Sequence, residues 1–258
     1  MLLIPAIDLR NGRCVRLFQG DFAAETRYEH EPHELLRRYR DFGASWLHVV
    51  DLDGAKDGVL ANRSVIVALA SQKAVRLQVG GGVRSAAVID DLLRNGVERV
   101  VVGSAAVERP EEVTGWFARF GADRICLALD IRMDSGGEPR VRTRGWTEGT
   151  AVSLWEAISR FPVGTVKHVL CTDIERDGAM SGPNFNLYRT ALCRFPRLSW
   201  QASGGVRNAA DLAALAELGV GAAVSGKALL EERITPEELR PFLPDASFPA
   251  STSAKDKS

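Results

Sequence analysis

The chain repeats itself at a spacing of about half its length. Gln78-Val-Gly-Gly-Gly82-Val-Arg84-Ser85 returns as Gln201-Ala-Ser-Gly204-Gly205-Val-Arg207-Asn208, a shift of 201−78 = 123 residues. Val101-Val-Gly103-Ser104 returns as Val224-Ser-Gly226-Lys227, and 226−103 is again 123. Asp8 maps onto Asp130 and Asp51 onto Asp173, both at 122. A fold compatible with this pattern has two similar halves, each supplying carboxylates and a pair of glycine turns. Such a chain suits a two-fold ligand, with an anionic group at each end and a reacting centre between.

Short apolar runs alternate with longer stretches of helical period, the pattern of repeated βα units around a parallel sheet. Strands are predicted at Leu2–Ile7, Trp46–Val50, Val75–Val79, Arg99–Val102, Arg124–Leu129, Val166–Cys171, Leu198–Ala202 and Ala222–Ser225. Helical segments include Pro32–Phe42, Ser85–Asn95, Pro110–Phe120, Val152–Phe161 and Ala209–Leu218. Gly43, Gly96, Gly121 and Gly219 follow such segments, where a left-handed residue ends a helix. Eight strand–helix pairs predict an α/β fold of the (β/α)₈ TIM-barrel type, built as a two-fold half-barrel repeat. A doubly wound open sheet would want one glycine fingerprint near its first strand, not matched turns in both halves. One barrel is expected over residues 1–244, with 245–258 a disordered tail rich in Ser, Ala, Pro and Lys.

Composition narrows the function classes. A net charge of +0 supplies no global field for nucleic acid, and no apolar run approaches a membrane span. Cys14, Cys126, Cys171 and Cys193 are scattered without metal or disulfide spacing, which suits a reducing, cytoplasmic setting. His30, His33 and His168 have no ligand spacing either, so no metal is expected. A monomer is the default expectation.

In such barrels the reacting groups sit at the C-terminal ends of strands. Asp8 ends the first strand and Asp130 the fifth, facing each other across eight strands. That is the placement of an acid and a base; the alternative is that each Asp merely caps its loop. The turns at Gly82, Gly103-Ser104, Gly204-Gly205 and Gly226-Lys227 let backbone N–H groups approach an anion closely. Trp146 lies in a long polar segment, 133–150, and would stack on a flat ring or anchor that segment to the barrel. Arg16 and Arg84 would pair with phosphate or carboxylate if they are not simply solvated. His48 belongs to the core unless it points into the mouth.

These segments resemble a known family. Pro5-Ala-Ile-Asp8 through Arg16 to Asp21, His48 through Lys56, Gln78–Ser85, Leu127-Ala-Leu-Asp130 and Cys171-Thr172-Asp-Ile-Glu-Arg-Asp177-Gly178 are similar to the histidine-pathway isomerases acting on phosphoribosylformimino-aminoimidazole carboxamide ribotide. The likeness runs from Met1 to about Pro244. It implies an Amadori rearrangement of a bisphosphorylated aminoaldose, without cofactor, with Asp8 as proton acceptor and Asp130 as donor. It further implies that Thr172 and Asp177 lie near the sugar, that Trp146 stacks on the imidazole carboxamide, and that Arg84 engages a loop and a carboxylate. The glycine turns would cradle the phosphates.

Other readings stay open at this point. The sister cyclase shares the half-barrel repeat, but its pattern has a cysteine before the first aspartate and a following lysine that are absent here. Added activity on phosphoribosylanthranilate is compatible with the same site. A glycoside hydrolase would use two carboxylates but would want more aromatic platforms than 7% aromatic content supplies. A sensor barrel would keep the cradles without needing both Asp8 and Asp130.

Overall fold

Side chains alternate along eight of the strands between two apolar environments, and that alternation closes the sheet on itself. The computed structural model describes residues 1–243, so the expectation for 245–258 lies outside the described residues. Its strands are β1 (Leu2–Arg10), β2 (Arg13–Phe18), β3 (Asp21–Arg27), β4 (Trp46–Asp51), β5 (Arg76–Gly80), β6 (Arg99–Val102), β7 (Ile125–Met133), β8 (Pro139–Thr143), β9 (Glu148–Ser153), β10 (His168–Asp173), β11 (Ser199–Ser203) and β12 (Ala222–Ser225). Eight of them pair in parallel in the order β1-β4-β5-β6-β7-β10-β11-β12, and β12 returns to β1 through Leu2↔Ala222. The chain is a (β/α)₈ barrel, and all eight strands fall where the sequence predicts them, within a few residues.

Residues of one parity point inward. Ile4, Ala6, Trp46, Val101, Cys126, Leu170, Ala222 and Val224 form the apolar filling of the barrel. Residues of the other parity, among them Leu3, Ile7, Leu47, Val49, Leu77, Val79, Leu127, Leu129 and Val169, join the larger cluster between sheet and helices. Both faces are thus buried, as a parallel sheet requires. Cys126 and Cys171 are buried packing residues, and Cys14 joins them. The helices carry their own start signals. Glu31 and Glu34 form a capping box at Pro32–Asp41. Ser85 accepts from the Val88 amide and Asn208 from that of Asp211, so the repeat extends to the caps.

The structure departs from the sequence reading after each half's first strand. Arg13–Arg27 forms a hairpin on β1, with Asp8 opposite Val15, and 133–150 is not an irregular loop but largely an antiparallel ribbon of β8 and β9 on β7. The ribbon's alternation is short and mostly polar, with Val141 alone joining the core, which is why its strand character is weak in sequence.

Asp51 and Asp173, aligned by the repeat, both belong to the scaffold. Asp51 is fully buried and accepts from the Gly54 amide at 2.9 Å, the Asn62 amide at 2.8 Å and Asn62 Nδ2 at 2.6 Å. Asp173 accepts from Asn184 Nδ2 at 2.8 Å, and 184−62 is 122 once more. Removing Asp51 strands several buried donors at once. Asp51→Ala is therefore expected to lower unfolding free energy by about 3 kcal/mol, measured by denaturant titration.

Candidate active site

One cavity opens at the C-terminal mouth of the barrel, and every site residue named from the sequence lines it: Asp8, Arg16, His48, Gly82, Arg84, Gly103, Ser104, Asp130, Trp146, Thr172, Asp177, Gly204, Gly205, Gly226 and Lys227. The period of two along β1 and β7 brings Asp8 and Asp130 inward at equivalent levels, two residues above Ala6 and Ala128.

The two carboxylates have different surroundings. Arg16, on β2 and facing Asp8, donates from Nη1 to Asp8 Oδ2 at 2.9 Å and pairs through Nη2 with Asp177. Asp8 is 7% exposed, and burial raises its pKa; Arg16 opposes that rise while Asp177 adds to it. Burial alone would weaken the guanidinium's hold on its proton, but Asp177 and Asp8 outweigh it and keep Arg16 firmly charged. Asp130 has no ion-pair partner among the described residues. Its Oδ2 accepts from Trp146 Nε1 at 2.8 Å. Burial raises its pKa too, against hydrogen bonds from Trp146 and Thr172, and Asp177 pushes it further up. Asp8 thus has a cation to favour its ionised form, whereas Asp130 has only neutral donors.

The glycine turns flank this pair symmetrically. Gly81 has φ +94°, and a Cβ there would lie 2.1 Å from the Asp51 carbonyl oxygen. Gly205 has φ +87°, and its Cβ would lie 2.4 Å from that of Gly182. No side chain fits either position, so each turn is held against the loop beside it with its backbone bared to the cavity. Arg84 packs its guanidinium against Gly58, and Lys227 donates to the Gly178 carbonyl at 2.9 Å. Ser104 Oγ accepts from the Arg144 amide at 2.8 Å, linking the second ribbon to this cradle. His48 is buried and lines the cavity floor, its pKa pushed down to about 4 by burial.

Three features of the mouth escape the sequence. The hairpin turn at Gly20 lies under the Trp146 ring, where a Cβ would come within 2.3 Å of Cε3, so the two ribbons meet over the cavity. Arg144 also reaches Glu108 and Glu148, each at 3.2 Å. A glycine beside an aromatic at matched hairpin turns is the signal that could have revealed the first. Nothing local joins Arg16 to Asp177, which stand 161 residues apart.

The fold and the site together define a (β/α)₈ barrel whose cavity joins two opposed buried carboxylates to two glycine-turn cradles. Residues 2–235 match the histidine biosynthesis protein family, and the chain belongs to that family. It is 46% identical over 237 residues to the 1-(5-phosphoribosyl)-5-((5-phosphoribosylamino)methylideneamino)imidazole-4-carboxamide isomerase of Alteromonas mediterranea, covering 92% of this chain and 97% of that protein. Proteins of the same name from Psychromonas ingrahamii and Actinobacillus succinogenes are 43% and 44% identical over 237 residues, covering 97% and 95% of their lengths.

A buried carboxyl with a raised pKa makes the folded state bind protons more tightly than the unfolded chain. Its stabilising contribution is full below the ordinary carboxylate range and is lost as pH rises through the folded pKa. At neutral pH, Asp130 therefore weakens the fold. Asp130→Asn is expected to raise Tm by roughly 2–4 °C at pH 7, the equivalent of about 1 kcal/mol for a chain of this size, with no comparable gain at pH 4. Calorimetry at the two pH values reads this directly.

Proposed function

We propose that the chain is an aldose–ketose isomerase of histidine biosynthesis, converting the bisphosphorylated aminoaldose for which its relatives are named to the aminoketose. The asymmetry between the two carboxylates carries this reading: one is paired with a cation, and its opposite number is buried without one. An Amadori rearrangement needs a proton given and a proton taken on the two sides of one sugar. Asp130, whose burial favours the protonated form, donates to the ring oxygen and opens the furanose to an iminium. Asp8, favoured as carboxylate by Arg16, removes the proton from C2. The C–H electron pair moves to form the C1–C2 double bond and the iminium π electrons return to nitrogen. The enolamine then tautomerises to the ketone. The substrate's own iminium accepts the electrons, so the chemistry asks for no further electron sink.

The remaining residues support binding. The cradles at Gly82 with Gly103-Ser104 and at Gly204-Gly205 with Gly226-Lys227 suit the two phosphates. Thr172 and Asp177 border the sugar, and Trp146, set over Asp130, is suited to stack on the imidazole carboxamide. We read Arg84 as a support for the loop at Gly58 beside the first cradle. The four free cysteines support a cytoplasmic setting, and a monomer contains both carboxylates and both cradles.

Positioned acid–base groups supply about 10²–10⁴-fold each, so Asp8→Asn and Asp130→Asn should each lower kcat by at least about 10²-fold with KM little changed. The assay follows the two-phosphate aminoaldose spectroscopically, with phosphoribosylanthranilate run in parallel; near-wild-type turnover by either variant sinks the assignment. The Trp146 indole N–H stabilises the Asp130 carboxylate, so Trp146→Phe is expected to raise that pKa further. The alkaline limb of the kcat/KM profile should move to higher pH.

A further inference from the structure

The two halves of the barrel diverge at one inward-facing layer. Gln78 and Gln201, 123 residues apart, form a reciprocal amide pair inside the barrel: Gln78 Nε2 donates to Gln201 Oε1 at 2.8 Å, and Gln201 Nε2 donates to Gln78 Oε1 at 3.0 Å. Both are buried, at 0% and 2% exposure. Around this pair the repeat fails. Arg99 corresponds to Ala222 (222−99 = 123) and His48 to Leu170 (170−48 = 122). Only the first half therefore carries a polar chain from the barrel floor to the cavity.

That chain has a fixed direction. Arg99 donates from Nη1 to Gln78 Oε1 at 3.2 Å, and its guanidinium is seated over the Trp46 ring, 4.3 Å from the centroid. Arginine has donors only, so it allows one orientation of the Gln78 amide, with oxygen towards Arg99 and nitrogen away. Gln78 Nε2 then faces His48 Nδ1 at 3.4 Å as a donor. An Nδ1 that accepts cannot carry hydrogen in the neutral ring, so the proton must sit on Nε2. His48 lines the cavity one inward position below Asp8's level, since Ala6 pairs with His48 and Asp8 with Val50; the Gln78 backbone also favours the protonated ring, an effect that burial outweighs.

We propose that Gln78, oriented by Arg99, is a positioning residue that locks His48 as the Nε2–H tautomer, so that a neutral imidazole offers one hydrogen-bond donor to a sugar oxygen of the ligand. The identity of the ligand rests on the isomerase reading; the tautomer does not. A neutral donor beneath the reacting sugar holds it from below without adding a second cation beside Asp8. The burial that pushes the His48 pKa down to about 4 keeps the ring neutral at working pH.

The test separates the two claims. The ¹⁵N ring resonances of His48 in the ligand-free protein at pH 7, assigned among four histidines by their loss in His48→Leu, are expected to show Nδ1 bare and Nε2 protonated. A protonated Nδ1 overturns the proposal, whatever the enzyme turns over. In Gln78→Glu the carboxylate still accepts from Arg99 and Gln201 but has no donor for His48. Nδ1 should then become protonated; an unchanged His48 spectrum in a folded Gln78→Glu also overturns it. Should that variant fail to fold, the wild-type spectrum alone decides. His48→Leu, which copies the residue of the other half, is expected to lower kcat/KM about tenfold, the worth of one hydrogen bond to a neutral donor. Wild-type kcat/KM in His48→Leu, with the isomerase assay otherwise positive, removes the donor role and leaves the isomerase reading standing.

Discussion

Arg16 reaches from β2 to a carboxylate on β1 and to another in the loop after β10. Asp8, Asp177 and Asp130 crowd one mouth, and three carboxyl groups with restricted access to water repel one another. One buried guanidinium between two of them makes the cluster tenable. The cost of desolvating Arg16 is met by two charge-assisted contacts rather than one. The arrangement also sets the third carboxyl apart. Asp130, beyond Arg16's reach, has only the Trp146 indole and Thr172 to offset the burial that raises its pKa.

The same arginine ties the halves of the barrel together, since Asp8 belongs to the first and Asp177 to the second. The repeat supplies equivalent parts: a hairpin or ribbon after each opening strand, a buried Asp–Asn lock beneath each glycine turn, and a capped helix behind each. Chemistry needs the halves to differ. They do so where Arg16, Trp146, Thr172 and His48 stand on one side and not the other. The symmetric parts supply the scaffold, the glycine turns and the opposed carboxylates, and the departures from symmetry give those two carboxylates different surroundings.

Much of this was legible along the chain. The offset of 122 or 123 residues fixed the pairing of halves. The alternation within each strand placed Asp8 and Asp130 inward, and the doubled glycines marked close backbone approach. Harder to read were the hairpin of Arg13–Arg27 and the ribbon over 133–150, because neither has a sustained alternation and each is held by the strand it extends. The Asp51 and Asp173 carboxylates look like Asp8 and Asp130 in sequence. Only their asparagine partners mark them as scaffold.

By itself the sequence determined the barrel, its two-fold construction and the residues that ring its mouth, because strand period and glycine spacing are properties of local chain geometry. The tertiary structure decided which carboxylate is paired with a cation and which is not. It also decided that Trp146 closes on Gly20, and that Gln78 meets Gln201 across the barrel. These are contacts between residues far apart in the chain, and a side chain's charge state answers to whatever surrounds it in space rather than to its neighbours in sequence.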